Sequence, residues 1–291
     1  MADSVAVPEA AFPRTRAWRQ DLGPGAALLL LAPLTVMLLV GFVVPLGWLL
    51  WTSLGGYGDL LSRGVARRAF ENTVEVSAIV TLLAVAIGGF LAWELRNASS
   101  RLYRSLLWAT LLFPLWTSVI VRNYSLTLLL QRNGLVNDAL QTLGITDGPV
   151  RLLYNDAAVV LGMTHSLIPF AALPLYAAFV LIDEDLLHAA RGLGASYARS
   201  LSSVALPLAG PSIVATATLV FVVASGFYVT PTVLGGPGSP FVATVIDQEI
   251  NALFDLPSAA AASFALVAGG LAIVLAAVLL VGWRRLQRVL T

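Results

Sequence analysis

Few side chains in this sequence are of types that make or break bonds, and their arrangement argues against most such chemistry. There are two histidines, His165 and His188, and no cysteine. Thiol nucleophiles, thiolate metal sites and disulfides are therefore out, and two histidines alone form no metal-binding set. A Ser–His dyad of His165 with Ser225 would make an intramembrane hydrolase. No nucleophile signature surrounds either residue, and serine is common in the chain. Gly235, Gly236 and Gly238 lack the Gly-Lys-Ser/Thr ending of a phosphate loop and do not open a helix after a strand. No catalytic residue, metal or cofactor is expected, and any ATP-driven process would draw its energy from a separate subunit.

What remains are ionisable and aromatic side chains set in apolar surroundings. Ionisable groups inside a membrane span are costly and commonly functional. Glu75, Arg122 and His165 lie in such stretches, and Glu94 lies near the end of one beside Arg96, where an interfacial ion pair is expected. Trp116, Tyr124, Phe227 and Tyr228 can offer aromatic faces to a cation. Glu75, Arg122, Tyr124, His165 and Tyr228 form the candidate lining of a polar path. The alternative for each is a satisfied helix–helix contact, an interface anchor, or a side chain reaching to the membrane surface.

The elements that must position these groups follow from composition. Of 291 residues, 58% are hydrophobic and 11% charged. A soluble domain carries about 25% charged residues, so this chain has too little polar surface to be one. Its net charge of +1 gives no electrostatic reason to bind nucleic acid. A spanning helix needs about 20 apolar residues. Six stretches meet that: 25–52, about 73–95, about 103–130 (interrupted by Pro114 and Arg122), 157–182, about 207–233 and about 257–283. The first is too long for a signal-peptide core and reads as a retained span. A β-barrel would show short alternating segments, and these runs are long and continuous. The expected fold is an all-α polytopic bundle of six transmembrane helices in a lipid membrane.

All 17 basic residues are arginine, a choice we assign to genome composition. Eleven of the 17 fall on one side: Arg14, Arg16, Arg19, Arg96, Arg101, Arg104, Arg191, Arg199, Arg284, Arg285 and Arg288. The positive-inside rule then puts both termini in the cytoplasm, with tails at 1–24 and 284–291. Connections 53–72, 131–156 and 234–256 become external. The arginines at 63–68 are an exception and resemble an amphipathic surface segment, with Leu60, Leu61 and Val65 turned to lipid.

The cytoplasmic connection at 183–211 is not an ordinary turn. Asp183, Glu184 and Asp185 suit a helix start. Leu186, Leu187 and Ala190 can form an apolar stripe. Gly192 and Gly194 interrupt the helix, and Ser196 can cap a second short one. Pro207 and Pro211 mark entry into the fifth span. Ala189, Ala190, Ala195 and Ala198 keep the pair slim. Two short helices meeting at a glycine hinge can fit a groove on another protein.

Here the sequence resembles a known family. The order His188-Ala189-Ala190, Gly194-Ala195-Ser196, Leu206-Pro207 and Pro211 is similar to the EAA loop of ABC importer permeases, with His188 in place of the family's glutamate. The stretches 113–140, 173–187 and 227–250 resemble the spermidine/putrescine-type permeases, and the likeness covers about 70–283. The resemblance implies a type I ABC importer permease fold. Residues His188, Ala189, Ala190, Gly194, Ala195, Ser196, Leu206 and Pro207 would then lie in coupling helices that dock on an ABC ATPase. It also implies a second permease subunit (a heterodimer), an external solute-binding protein, and residence in the inner membrane. The favoured solute is a polyamine. An opine, an amino-acid-like solute or another organic solute is the alternative. A channel or scaffold working without ATP is the more distant one.

Overall fold

A computed structural model describes residues 24–290 apart from Arg63 and Pro237. The tail expected at 1–24, with Arg14, Arg16 and Arg19, lies outside the described residues as far as position 23, as does Thr291 at the other end. The described elements are helices, with no strand among them. The chain divides into two compact units after Trp48. The first contains α1 (Pro24–Leu38), a π-helical turn (Leu39–Val43) and the beginning of α2 (Val44–Ser53). Pro33 removes a backbone donor inside α1, and Thr35 Oγ1 donates to the Leu31 carbonyl at 2.9 Å beside it.

The second unit continues with α3 (Tyr57–Ser62), α4 (Gly64–Asn97), α5 (Arg101–Trp116), α6 (Val119–Leu130) and α7 (Leu135–Thr142). After these come α8 (Asp156–Val180), α9 (Glu184–Gly192), α10 (Tyr197–Ser200), α11 (Leu206–Ser225), α12 (Val242–Asn251) and α13 (Leu256–Leu290). Its main core is where α4, α8 and α11 meet, around Val80, Val159, Met163, Leu167 and Val220. In a membrane, lipid is as apolar as the core, so helices associate through close packing of small residues. Ala84, Gly88 and Ala92 recur every fourth residue along the buried face of α4. A Cβ at Gly88 would sit 2.9 Å from both the Ala171 Cβ and the Ala172 nitrogen of α8. Gly88→Ala should therefore force the helices apart and destabilise the bundle by about 1–3 kcal/mol. Gly89→Ala, which meets only the Leu175 Cδ1 at 3.4 Å, should be tolerated. Thermal unfolding of the two variants in detergent checks this pair.

Among the described residues, five helical stretches are long and apolar enough to cross a membrane: Leu30–Ser53, Gly64–Asn97, Asp156–Val180, Tyr197–Ser225 and Leu256–Leu279. The third expected span is broken. α5 and α6 meet at 104°, and counting that bent pair as one span gives six. Thr117 and Ser118 are extended at the break, one turn beyond Pro114, which lacks the N–H to continue the ladder.

Other boundaries differ from the sequence reading for physical reasons. The second span begins at Gly64, since the polar segment 64–72 is already helical, with Arg67 and Glu71 paired at 2.8 Å one turn apart. Leu60, expected to face lipid, is 3% exposed and shares a buried cluster with Ala261 and Ala262 of α13, the helix on which α3 packs, whereas Val65 is exposed as expected. The fifth span stops at Ser225, and the chain then folds back inward. Its π-helical turn Pro231–Gly235 buries Leu234 against α8, where a Cβ at Gly162 would come within 2.6 Å of Leu234 Cδ1. α13 carries helix through 284–290, the stretch expected as a tail.

Candidate functional site

The connection between α8 and α11 is built from local chain chemistry. Asp183 caps α9, its carboxylate accepting from the Asp185 N–H at 2.9 Å. Glu184 and Asp185 in the first turn and Arg191 in the last complement the helix dipole. α9 ends in a Schellman turn: Gly194 N–H donates to the Arg191 carbonyl at 2.9 Å and Ala195 N–H to the Ala190 carbonyl at 3.0 Å. That turn needs a left-handed residue, and Gly194 supplies it with φ +86°. Gly192, by contrast, lies within α9, so the break belongs to Gly194 alone.

Ser196 then caps α10, accepting from the Arg199 N–H at 3.3 Å. α10 is not a separate short helix. Through the π-helical turn Leu201–Ala205 it runs unbroken into α11, and Tyr197–Ser225 is one rod of 29 residues. The wide turn moves the carbonyl that the Pro207 ring would otherwise strike, which is how a proline sits inside the rod. Pro207 thus marks no helix start.

Leu187 is buried against Trp93, Phe179, Ala205 and Ala209, and Ala190 is half-buried. Leu186 is exposed, so the expected three-residue stripe reduces to two. Leu186, Ala189 and Leu193 instead form an outward apolar row, with Leu193 91% exposed. His188, Ser196, Leu206 and Pro207 are also exposed, and Ala195 is half-buried.

Side chains distant in sequence fasten this region to the bundle. The Glu94 carboxylate accepts from the Tyr103 hydroxyl of α5 at 3.2 Å and from the Tyr197 hydroxyl of α10 at 3.1 Å. Arg96 donates to the Ile182 carbonyl at 2.8 Å and stands over the Trp93 ring at 5.5 Å. The expected Glu94–Arg96 pair is therefore replaced by two separate attachments. Trp93, fully buried, packs edge-on to Phe179 at 5.5 Å and against Tyr197 at 5.8 Å.

The candidate path residues fall into three places. Arg122, 8% exposed, donates to the Pro114 carbonyl at 2.8 Å and so bridges the α5–α6 break. His165 of α8 is exposed and within electrostatic range of Arg122. Tyr124 and Trp116 are exposed on the same broken span. Glu75 lies apart, in a groove between α4 and α8. Tyr228 faces Asp247 of α12 instead of joining the others.

Sequence reasoning missed the polar lattice at the end of the bundle opposite α9. Asp156 accepts from Asn72 Nδ2 at 3.3 Å and from the Ser239 hydroxyl, and Asn72 also donates to the Pro240 carbonyl at 3.1 Å. Asn137, fully buried, accepts from the Val150 N–H and donates to the Gln131 and Val150 carbonyls, which shapes the 131–150 loop. The Asn155 cap just before Asp156 is the one local signal in that region.

Residues 84–287 match the family described as binding-protein-dependent transport system inner membrane component. The chain is similar to the spermidine/putrescine transport system permease protein PotB of Escherichia coli (strain K12), with 33% identity over 213 residues, 73% of this chain and 75% of that one. Its fold is similar to that in the crystal structure of a bacterial ABC transporter involved in import of the acidic polysaccharide alginate. There the TM-score is 0.75 at 20% identity, covering 89% of this chain and 95% of that one. A more distant likeness in fold, with a TM-score of 0.55 at 19% identity over 74% of this chain and 93% of that one, is to the MetNI methionine ABC transporter.

Proposed function

Since the chain belongs to the family of binding-protein-dependent transport system inner membrane components, we propose that it works as an ATP-driven importer's permease with an amine as its solute. Residues 70–283 form the transport domain, and 25–52 adds a leading span. The α9 end faces the cytoplasm, as do both termini, since Arg96, Arg101, Arg104, Arg191 and Arg199 cluster there. A second, similar permease completes the path, and a binding protein delivers solute to the opposite face. α9 and α10 dock on a separate ATPase, with His188, Ala189 and Ala190 on α9 and Gly194 to Ser196 at the hinge.

The observation that carries this reading is the left-handed Gly194 between an outward apolar row on α9 and a continuous rod through the membrane. ATPase closure moves α9, the load crosses Gly194, and the rod Tyr197–Ser225 swings as one lever to switch access. The polyamine assignment is supported by identity to permeases named for spermidine and putrescine. A different organic solute on the same mechanism is the second reading, since the fold is also found in transporters named for alginate and methionine.

Uptake of radiolabelled putrescine and spermidine into proteoliposomes tests it, with the permease pair and ATPase reconstituted and binding protein outside. The expected result is uptake that needs both internal ATP and binding protein. Flux without ATP would indicate a channel and overturn the mechanism. ATP-dependent import of another solute without amines would overturn only the substrate class.

A further inference from the structure

Resting on the amine-import reading above, we propose that the groove between α4 and α8 is where the solute's ammonium groups are held, with Glu75 and Asp156 as their counter-charges and Thr164 as a deeper hydroxyl ligand. The groove encloses about 540 Å³. Among the described residues two carboxylates line it and no arginine does; Arg122 and His165 are both absent from its wall. The rest of its wall is mostly apolar, with Ile79 of α4 and Val160 of α8 among the lining residues. Its α8 side, from Asp156 to Thr164, extends about 12 Å at 1.5 Å per residue. Paired negative charge at one end of an apolar slot is complementary to a linear alkane chain bearing ammonium groups.

Three further facts single out this groove. Glu75 is exposed and has no hydrogen-bond or ion-pair partner among the described residues, so its charge is available. Asp156 is held by Asn72 and Ser239 through one oxygen, Oδ1, which leaves the other oxygen for a ligand. Thr164 is 6% exposed, lines the inner end, and its hydroxyl has no partner among the described residues. That hydroxyl oxygen is itself covered, so a rotation about χ1 into the groove would let it accept from a ligand N–H and end the cost of leaving it unpaired. The larger recess at the same end, about 810 Å³, is lined by Arg132 and Arg151 and has the wrong sign for a cation.

The test is putrescine carried per ATP hydrolysed by the assembled transporter at saturating loaded binding protein. Glu75→Gln should lower uptake about tenfold, the loss expected for one charge-assisted hydrogen bond. Stimulated ATP hydrolysis should stay near wild type, because the α9 end is untouched. Glu75→Asp, which keeps the charge, should recover most of the uptake, and Thr164→Val should show a smaller loss. Wild-type uptake by both Glu75→Gln and Thr164→Val overturns the site and leaves the groove to lipid or the partner permease. Equal loss of uptake and of ATP hydrolysis in Glu75→Gln and Glu75→Asp also overturns it, since that marks a structural role. If the wild-type transporter carries no amine, the functional reading fails and this site fails with it.

Discussion

Gly194→Val is expected to abolish ATP-driven uptake and stimulated ATP hydrolysis together while the membrane bundle stays folded. The reason is backbone conformation, not crowding. No atom lies within 4 Å of a Cβ built at Gly194, yet its φ is +86°. A β-branched residue held there costs about 1–3 kcal/mol. α9 is held by the Asp183 cap, the Schellman turn, the buried Leu187 and the half-buried Ala190, so the strain is relieved by moving this short, largely exposed helix. Loss of its orientation takes the row Leu186, Ala189 and Leu193 out of register with the ATPase. A tenfold fall corresponds to about 1.4 kcal/mol, so a loss of tenfold or more is expected. Asn adopts the left-handed conformation more readily than other non-glycine residues, so Gly194→Asn should retain most activity although it is larger than Ala. Activity in the order Gly, Asn, Ala, Val supports the hinge. An order following side-chain volume would mean that contact with the ATPase, and not the turn, sets the limit.

The hinge was legible in the sequence because its signals are local. Asp183 two residues before the Asp185 N–H it accepts from, Ser196 three residues before the Arg199 N–H it accepts from, and glycine at a helix end each act within one turn of chain. Residues remote in sequence left no such trace. Glu94 meets Tyr103 and Tyr197 only because α4, α5 and α10 converge, and neither tyrosine sits in a motif. The same limit explains Leu60, whose helix α3 packs on α13, some two hundred positions on. Pro207 misled for a different reason. A proline normally marks a first turn, and here a π-helical turn upstream makes room for it, so two elements in sequence become one in space. That fusion changes the mechanics: a push on α10 is applied directly to the membrane rod, with no joint between them.

The convergence point of those remote contacts carries the second large effect. Trp93→Ala should destabilise the chain by about 3–5 kcal/mol and uncouple ATP hydrolysis from uptake. Trp93 is fully buried at the end of α4 and touches two other elements, through Phe179 of α8 and Tyr197 of α10, as well as the Arg96 guanidinium on its own helix. Removing the ring empties the space into which the base of the rod is seated. Tyr197 would then keep only its hydroxyl bond to Glu94, a contact of 3.1 Å at an exposed position. A hydrogen bond to a carboxylate is worth about 1.5–3 kcal/mol, less than the loss expected on removing the ring. Trp93→Phe provides the control. The indole Nε1 has no hydrogen-bond partner among the described residues, so replacing it removes a buried unsatisfied donor while keeping most of the aromatic surface. That variant should stay within about 1.5 kcal/mol of wild type and remain coupled. Thermal unfolding in detergent, combined with putrescine carried per ATP, separates the cases. A Trp93→Ala protein that melts early but still carries the wild-type number of amines per ATP would show that the aromatic contact stabilises the fold without transmitting force. The load would then have to pass from α10 into the bundle along the rod alone.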